Sequence, residues 1–260
     1  MLIECVVNVS EGRRTGLVTA IGEAAGDALL DTHVDPHHNR SVLTLVGESA
    51  PQAVARAAVA RLDLRDHQGV HPRIGVVDVV PFVPLGDATL DDAVAARDRF
   101  AAWIGDELGV PAFLYGPERT LPDVRRGAFA ELEPDHGPAA PHPSAGAVAV
   151  GARPVLVAWN VYLATPDLAV ARKVAQVVRG PHLRALGLPV GDEVQVSMNL
   201  ISPDVIGPAE AWDLVSALVP LAGAELVGLV PQSLLDRTPP DRWVQLDLSE
   251  DRTIEARLPR

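Results

Sequence analysis

The sequence predicts an α/β protein, specifically an α+β sandwich, built from two ferredoxin-like βαββαβ subdomains with a cleft between them. Short apolar runs alternate with helical stretches in the order β-α-β-β-α-β, which is the order of the split βαβ fold. The same order returns in the second half without obvious sequence repetition. We therefore expect one subdomain in residues 1–150 and a second, compact subdomain in residues 151–260.

The first half begins with the buried strand "LIECVVNV" and contains an alanine-rich helix, for which alanine has the highest propensity. Thr89 and Asp92 form a capping-box pattern that starts a helix extending to about Leu108. Residues 116–146 are rich in Pro and Gly and lack periodicity, which predicts a functional or interdomain segment. The predicted strands are 2–9, 28–34, 41–47, 76–83 and 111–115, and the predicted helices are 17–25, 50–62 and 89–108.

The second half shows a strand, a helix, a hairpin, a helix and a last strand. The hairpin joins "HLRALGL" to "VQVSMNL" through "PVGDE", a turn-forming sequence. The tail after Pro239 ends in alternating "VQLDL" followed by charges, and its role is open. The predicted strands outside the hairpin are 154–163 and 224–230, and the helices are 166–179 and 208–221.

Composition excludes several classes of protein. The 260 residues are 48% hydrophobic and 22% charged, as in globular proteins, and the net charge of −12 argues against nucleic acid as a partner. No apolar run approaches the roughly 18 residues of a membrane helix, and no leader pattern precedes the first strand. The single cysteine, Cys5, excludes an internal disulfide framework, and its apolar surroundings predict a buried, inert thiol. We expect a cytoplasmic protein.

Seven of the eight histidines precede residue 143 and fall into three polar clusters at strand ends or in loops. The second cluster, "RDHQGVHPRIG", carries His67 and His71 four residues apart, but Gly69 and Pro72 predict a turn, so they do not form a helical pair of metal ligands. No metal-binding motif occurs, and we expect no metal. The other clusters are "DTHVDPHHNRS", with His33, His37 and His38, and "PDHGPAAPHP", with His136 and His142.

Residue types alone leave three interpretations of the second cluster open: a metal site, a general base with an anion clamp, or a solvated loop. His71 suits the second, because an imidazole titrates near neutrality and exchanges protons at working pH. Arg73 is close enough in sequence to bind an anion, and Asp66 or Asp78 is a candidate charge partner. His67 is assigned a supporting role.

Three asparagines lie in otherwise apolar strands. Asn8 and Asn160 occur in the first strand of each half, and Asn199 occurs in "VSMNL". An amide in such a strand needs hydrogen-bond partners, which are structural groups or a polar, flat heterocycle in the cleft.

Eight stretches together resemble the formiminotransferase domain family, represented by glutamate formiminotransferase. They occur in the family's order over most of the chain, and the HPRxG stretch is the most diagnostic. They are "IECVVNVSEGR", "HNRSVLTLVG", "HQGVHPRIGVVDVVPFVPL", "GVPAFLYG", "PDHGP", "AVGAR", "QVSMNL" and "ELVGLVP".

The resemblance implies transfer of the formimino group of N-formiminoglutamate to N5 of tetrahydrofolate, in histidine degradation and one-carbon metabolism. Tetrahydrofolate would be a co-substrate held in a tunnel between the halves, no metal would take part, and the protein would be a homodimer. By resemblance His71 is the base that takes the N5 proton, and His33 orients charge on the amidine. Further expected contacts are Arg40, Arg73 and Arg153 with carboxylates, Asn8, Asn160 and Asn199 with the pterin or the amidine, and Asp78 with substrate or folate.

Several positions depart from the family pattern. Val7 and Val9 replace a proline and an aromatic residue, and His136 stands where phenylalanine is common. We expect these departures to surround the substrate cleft. No cyclodeaminase-like segment follows in this sequence, so we expect no channelling within the chain. The departures keep two alternatives open: an enzyme that uses another acceptor or hydrolyses an amidine, and a non-catalytic folate-like ligand-binding protein.

Overall fold

The computed structural model of the protein describes residues 2–69 and 72–259. It divides into two compact units, of which the first ends at Pro154 and the second runs from Val155 to Leu258. Both units combine one sheet with helices, as an α+β sandwich requires. Among the described residues, no helix has the length and apolar character needed to cross a membrane.

The described part of the first unit contains a six-stranded sheet and four helices. The strands are β1 (Leu2–Val9), β2 (Leu29–Asp35), β3 (Arg40–Val46), β4 (Val77–Leu85), β5 (Ala112–Tyr115) and β6 (Val148–Ala152). The helices are α1 (Thr15–Gly22), α2 (Ala50–Arg61), α3 (Leu90–Leu108) and α4 (Leu121–Gly127), with short 3-10 turns at Glu23–Ala28 and Leu64–Asp66. The strand order is β2-β3-β1-β4-β6-β5. The first four strands are antiparallel neighbours in the predicted ferredoxin-like arrangement, and β6 and β5 extend the sheet in parallel.

The two faces of this sheet differ in character. Ile3, Cys5, Val7 and Val9 are buried in the core that β1 shares with α1, α2 and α3. The expectation that Val7 and Val9 lie around a substrate cleft is therefore wrong, because strand alternation turns both side chains toward the helices. Burial raises the pKa of the Cys5 thiol well above its usual value, which fits an inert thiol.

Residues 116–146 contain a helix that the sequence patterns did not predict. Helix α4 begins with a capping box in which Thr120 and Asp123 satisfy each other's backbone N–H groups. It covers the second face of the sheet, where Val124 packs with Val79 and Phe113. Seven residues that include Pro and Gly are too few to show helical periodicity.

Strand β6 was also missed, because its small residues "VAVGA" lack the β-branched and aromatic character of the other strands. It is buried along its whole length between β4 and β5. The predicted border after Val150 falls inside this strand, whereas the compact units divide after Pro154.

The second unit contains a four-stranded antiparallel sheet in the order β10-β7-β9-β8, which is again the ferredoxin-like order. The predicted hairpin is confirmed as β8 and β9. The strands are β7 (Val157–Leu163), β8 (Leu183–Val190), β9 (Glu193–Leu200) and β10 (Leu221–Val227). The helices are α5 (Leu168–Val178), α6 (Pro208–Ser216), α7 (Gln232–Arg237) and α8 (Ile254–Arg257), with 3-10 turns at Pro240–Arg242 and Glu250–Arg252.

The tail of the second unit completes its core. Leu246 and Leu248, from the alternating "VQLDL", are buried in the cluster that contains Trp159. The Trp159 indole Nε1–H donates to the carbonyl oxygen of Leu246 at 2.9 Å, so the tail satisfies a buried donor as well as covering apolar surface.

Candidate functional site

A small polar pocket lies in the first unit. Its walls come from the end of β1, the turn between β2 and β3, the loop before β4 and β4 itself. The lining residues are Ser10, His38, Asn39, Arg40, His67, Arg73 and Asp78. Two imidazoles, two guanidiniums and a carboxylate in one small space suit a charged ligand that exchanges protons.

The turn between β2 and β3 forms one wall. Asp35 Oδ1 accepts a hydrogen bond from the backbone N–H of His38 at 2.9 Å, and Asp35 Oδ2 forms a very short contact with Nδ1 of the His38 ring. Burial raises the pKa of Asp35, but the hydrogen bonds from His38 outweigh it and lower that pKa to about 2. Asp35 is therefore a carboxylate across the working pH range and fixes the orientation of the His38 ring.

Asn39 joins three segments at the pocket. It lies in the left-handed region with φ of 51°, which asparagine tolerates better than most residues. Its side-chain Oδ1 accepts from the Gly12 N–H at 2.9 Å, and its Nδ2 donates to the Gln68 carbonyl at 3.0 Å. Glycine is the residue that fits at position 12, because a Cβ there would lie 2.3 Å from the Asp35 carbonyl oxygen.

His67 is oriented through the same asparagine. Its Nε2 lies 2.8 Å from the backbone oxygen of Asn39, so Nε2 carries the proton and Nδ1 is the acceptor. Nδ1 is buried and has no hydrogen-bond partner among the residues that the structure describes. Burial is the main cause that lowers the pKa of His67, and the nearby Arg73 guanidinium lowers it further. His67 is thus a neutral ring with a fixed tautomer.

The charged wall consists of Arg40, Arg73 and Asp78. Burial lowers the pKa of Arg40, while the carboxylates of Asp78 and Asp35 oppose this effect, and the guanidinium stays charged at neutral pH. Arg73 donates from Nη2 to the Gly69 carbonyl at 2.9 Å. Asp78 accepts from the Ile74 N–H at 2.8 Å and from Nη2 of Arg125 at 2.6 Å.

Three predicted site residues, Arg40, Arg73 and Asp78, thus meet in one pocket. Asn8 and His33 lie on the same face of the sheet as each other, but neither residue lines the pocket. Both are opposite Val42 in the strand register, so their backbones are two strand spacings apart, about 10 Å. The Asn8 side chain donates to the carbonyl of Val6 at 3.1 Å.

Arg153 also lies away from the pocket. Its Nη1 donates to the carbonyl of Pro154 at 3.1 Å. Burial raises the pKa of Tyr115 to about 12, against the opposing effect of the nearby Arg153 guanidinium. Contact of Arg153 with a substrate carboxylate therefore stays a prediction. His71, the predicted base, lies outside the described residues.

Asn160 and Asn199 belong to the second unit. Asn160 is buried and donates from Nδ2 to Glu225 Oε2 at 2.9 Å, an oxygen that also accepts from the Tyr162 hydroxyl at 2.9 Å. Asn199 is exposed on β9 and pairs with Ala158. Structural hydrogen bonding thus accounts for Asn160 within its own unit, and its contact with a ligand stays a prediction.

Sequence reasoning missed part of the site: Ser10, His38, Asn39, the pocket-lining position of His67, and Arg125. The signal for Asn39 and His38 was present in "DPHHNRS", where Asp and Asn flank a tight turn between strands. The signal for Arg125 was the pattern Thr120-x-x-Asp123, which repeats the recognised pattern at Thr89. Among the described residues, no group of three or more His, Cys, Asp or Glu side chains is placed to hold a metal ion.

A family model described as "Formiminotransferase domain, N-terminal subdomain" matches residues 2–153. The chain is 35% identical over 270 aligned residues to glutamate formimidoyltransferase of Streptococcus pyogenes serotype M1, with 90% of each chain covered. It is 34% identical over 274 residues to the protein of the same name from Thermoplasma acidophilum, again with 90% of each covered. This chain belongs to the formiminotransferase family. A formimidoyltransferase-cyclodeaminase from Sus scrofa is 37% identical over 281 residues, covering 90% of this chain and 51% of that protein.

The predicted resemblance to the formiminotransferase family is therefore confirmed. Three of the stretches that carried it converge on the pocket. "VNVSEGR" supplies Ser10, "HNRS" supplies His38, Asn39 and Arg40, and "HQGVHPRIGVVD" supplies His67, Arg73 and Asp78.

Proposed function

We propose that this chain is a glutamate formimidoyltransferase, which transfers the formimino group of N-formiminoglutamate to N5 of tetrahydrofolate. The observation that carries the proposal is the 35% identity over 90% of both chains to a relative of that name. Tetrahydrofolate is the proposed co-substrate, and histidine degradation in the cytoplasm is the proposed context. A homodimer is the proposed assembly.

The pocket has chemistry that fits the donor. N-formiminoglutamate carries two carboxylates and an amidine, and Arg40 and Arg73 present two guanidiniums, whose fork geometry matches carboxylate oxygens. The neutral His67 ring offers an acceptor for an N–H group. These features support the binding of a glutamate derivative in the first unit.

The reaction requires a nucleophilic attack by N5 on the amidine carbon. N5 loses its proton as the N5–C bond forms, and a base placed near that proton assists the step. We propose His71 for this role. His67 and Arg73, on either side of it in the sequence, both line the pocket, which supports this assignment.

The proposal is tested with the purified full chain, N-formiminoglutamate and tetrahydrofolate. Glutamate release is followed with a coupled glutamate dehydrogenase assay, and 5-formiminotetrahydrofolate by its absorbance. The expected result is that glutamate release requires tetrahydrofolate and that the amount of glutamate equals the amount of 5-formiminotetrahydrofolate formed. Release without folate would instead identify a hydrolase, and no release at saturating concentrations of both substrates would overturn the proposal.

A further inference from the structure

We propose that His38, held by Asp35, donates the proton that the leaving nitrogen of glutamate needs during formimino transfer. The inference rests on the proposed function and concerns a second proton transfer, separate from the one assigned to His71. It is carried by the pairing of an imidazole and a carboxylate at the wall of the pocket.

The geometry is that of an oriented imidazole. The His38 side chain is only 6% exposed, its Nδ1 contacts Asp35 Oδ2, and its backbone N–H donates to the other carboxylate oxygen at 2.9 Å. The ring lines the pocket while Asp35 does not. With Nδ1 held by Asp35, the proposal assigns proton donation to Nε2, a buried atom of a ring that lines the pocket, and the carboxylate stabilises the positive charge when Nε2 is protonated.

The two histidines that line the described pocket differ in their electrostatic surroundings. His67 donates to a neutral carbonyl and lies near the Arg73 guanidinium, and burial lowers its pKa, so it stays uncharged. His38 lies against a carboxylate whose pKa is about 2. Because the two rings differ in their neighbouring charges, we assign the proton-donating role to His38, the ring beside the carboxylate.

The chemistry requires such a donor. Attack by N5 forms the N5–C bond and releases the N5 proton to the base. The tetrahedral intermediate then collapses, the bond between the amidine carbon and the glutamate nitrogen breaks, and this nitrogen takes the proton from His38 Nε2. The amine of glutamate is a poor leaving group unless it is protonated, so loss of the donor slows this collapse. Solvent then returns a proton to His38 and removes one from the base.

The test compares His38→Gln with His37→Gln, a change of the neighbouring histidine. His37 packs edge-on against the His38 ring, with centroids 5.3 Å apart, but it does not line the pocket. We expect His38→Gln to lower kcat by about 10²-fold with a change in KM below about threefold. We expect His37→Gln to stay within about threefold of the wild type. Asp35→Asn should lower kcat by about tenfold, because it removes the group that orients the ring.

Two readouts separate proton donation from a structural role. The wild-type pH profile of kcat should fall at high pH, where the donor is unprotonated, and this limb should be absent in His38→Gln. Imidazole added to His38→Gly should restore kcat by at least about tenfold. The other charged or titratable side chains that line the pocket are Arg40, His67, Arg73 and Asp78. The high-pH limb of the kcat profile is therefore assigned to His38 by comparing variants, and not from the pH at which it occurs.

Wild-type kcat in His38→Gln, or a retained high-pH limb with no rescue by imidazole, would overturn the inference. If His38→Gln does not fold, ¹⁵N spectra of the wild-type histidines decide, because the inference requires the His38 ring to carry its proton on Nδ1 when neutral. A neutral ring protonated on Nε2 would contradict it. An inactive wild-type protein would instead reject the proposed function, so the two failures are distinguishable.

Discussion

Arg125 Nη2 lies 2.6 Å from Asp78 Oδ2, and Nη1 of the same guanidinium donates to the carbonyl of Pro72 at 2.6 Å. Asp78 is 2% exposed and Arg125 is 19% exposed. This pair connects α4 to β4 and to the "HPR" stretch. The helix therefore holds one wall of the pocket, although none of its residues lines that pocket.

We expect Arg125→Ala to destabilise the protein by about 3 kcal/mol, because it removes the guanidinium that hydrogen-bonds to the buried Asp78 carboxylate. It should also lower kcat, since the Pro72 carbonyl loses the hydrogen bond from Arg125. Urea unfolding and steady-state kinetics measure both effects. The control is Arg126→Ala, which removes an exposed guanidinium from the same helix and should stay close to the wild type. Equal stability of the two variants would contradict the structural role of Arg125.

Strand alternation and helix caps were sufficient to predict most of the fold. The run "LIECVVNV" predicted β1, and the capping box at Thr89 predicted the start of α3. Helix α4 and strand β6 were missed because seven helical residues and a strand of small residues carry too little periodicity. Their formation depends on packing against β4 and β5, which a local pattern does not contain.

The sequence predicted the residues of the candidate site whose charge itself indicates ligand binding. It did not predict the residues whose role depends on a contact with a side chain or backbone group that only the fold brings close. Arg40, Arg73 and Asp78 were expected at the site and line the pocket. The sequence assigns no role to His38, because its pairing with Asp35 depends on how the turn between β2 and β3 folds. Asn39 joins Gly12 to Gln68, and no spacing rule in the sequence relates these two positions.

The stability of the protein should depend on Asp35 at acidic pH. The pKa of this carboxyl falls from its usual 3.8 to about 2 in the folded protein, so the group stabilises the fold above the unfolded pKa by about 2 kcal/mol. This contribution should disappear as the pH falls from about 4 to about 2. We expect the difference in unfolding free energy between the wild type and Asp35→Asn to shrink over that range.

A protein that carries His38→Gln provides the control for the prediction on Asp35. In a His38→Gln protein the hydrogen bond from the ring is absent, so the added effect of Asp35→Asn should be smaller, as expected for two residues in direct contact. Urea titrations at pH values from about 2 to about 7 measure all four proteins. Additive effects of the two substitutions would show that His38 is not the cause of the low pKa.

Arg73 should contribute to the binding of N-formiminoglutamate through its guanidinium group. We expect Arg73→Lys to raise KM for N-formiminoglutamate by about tenfold with little change in kcat, because a lysine does not reproduce bidentate binding of a carboxylate. Arg65→Lys is the matched control, since Arg65 has a 71% exposed side chain in the preceding turn and pairs with Asp63. A KM for Arg73→Lys equal to that of the control would exclude Arg73 from donor binding.

His71 should be the group whose loss most affects the attack by N5. We expect His71→Ala to lower kcat by about 10²-fold or more, with folding unchanged in circular dichroism and thermal unfolding. The low-pH limb of the kcat profile should disappear with it, because a base must be unprotonated to act. His136→Ala is the control, since this half-buried histidine lies beside β5, where its carbonyl accepts from the Ala112 N–H at 3.0 Å, and it does not line the pocket. An unchanged rate for His71→Ala would reject His71 as the base. His67 would then be the next candidate to test, because its acceptor nitrogen is held in a fixed tautomer at the same pocket.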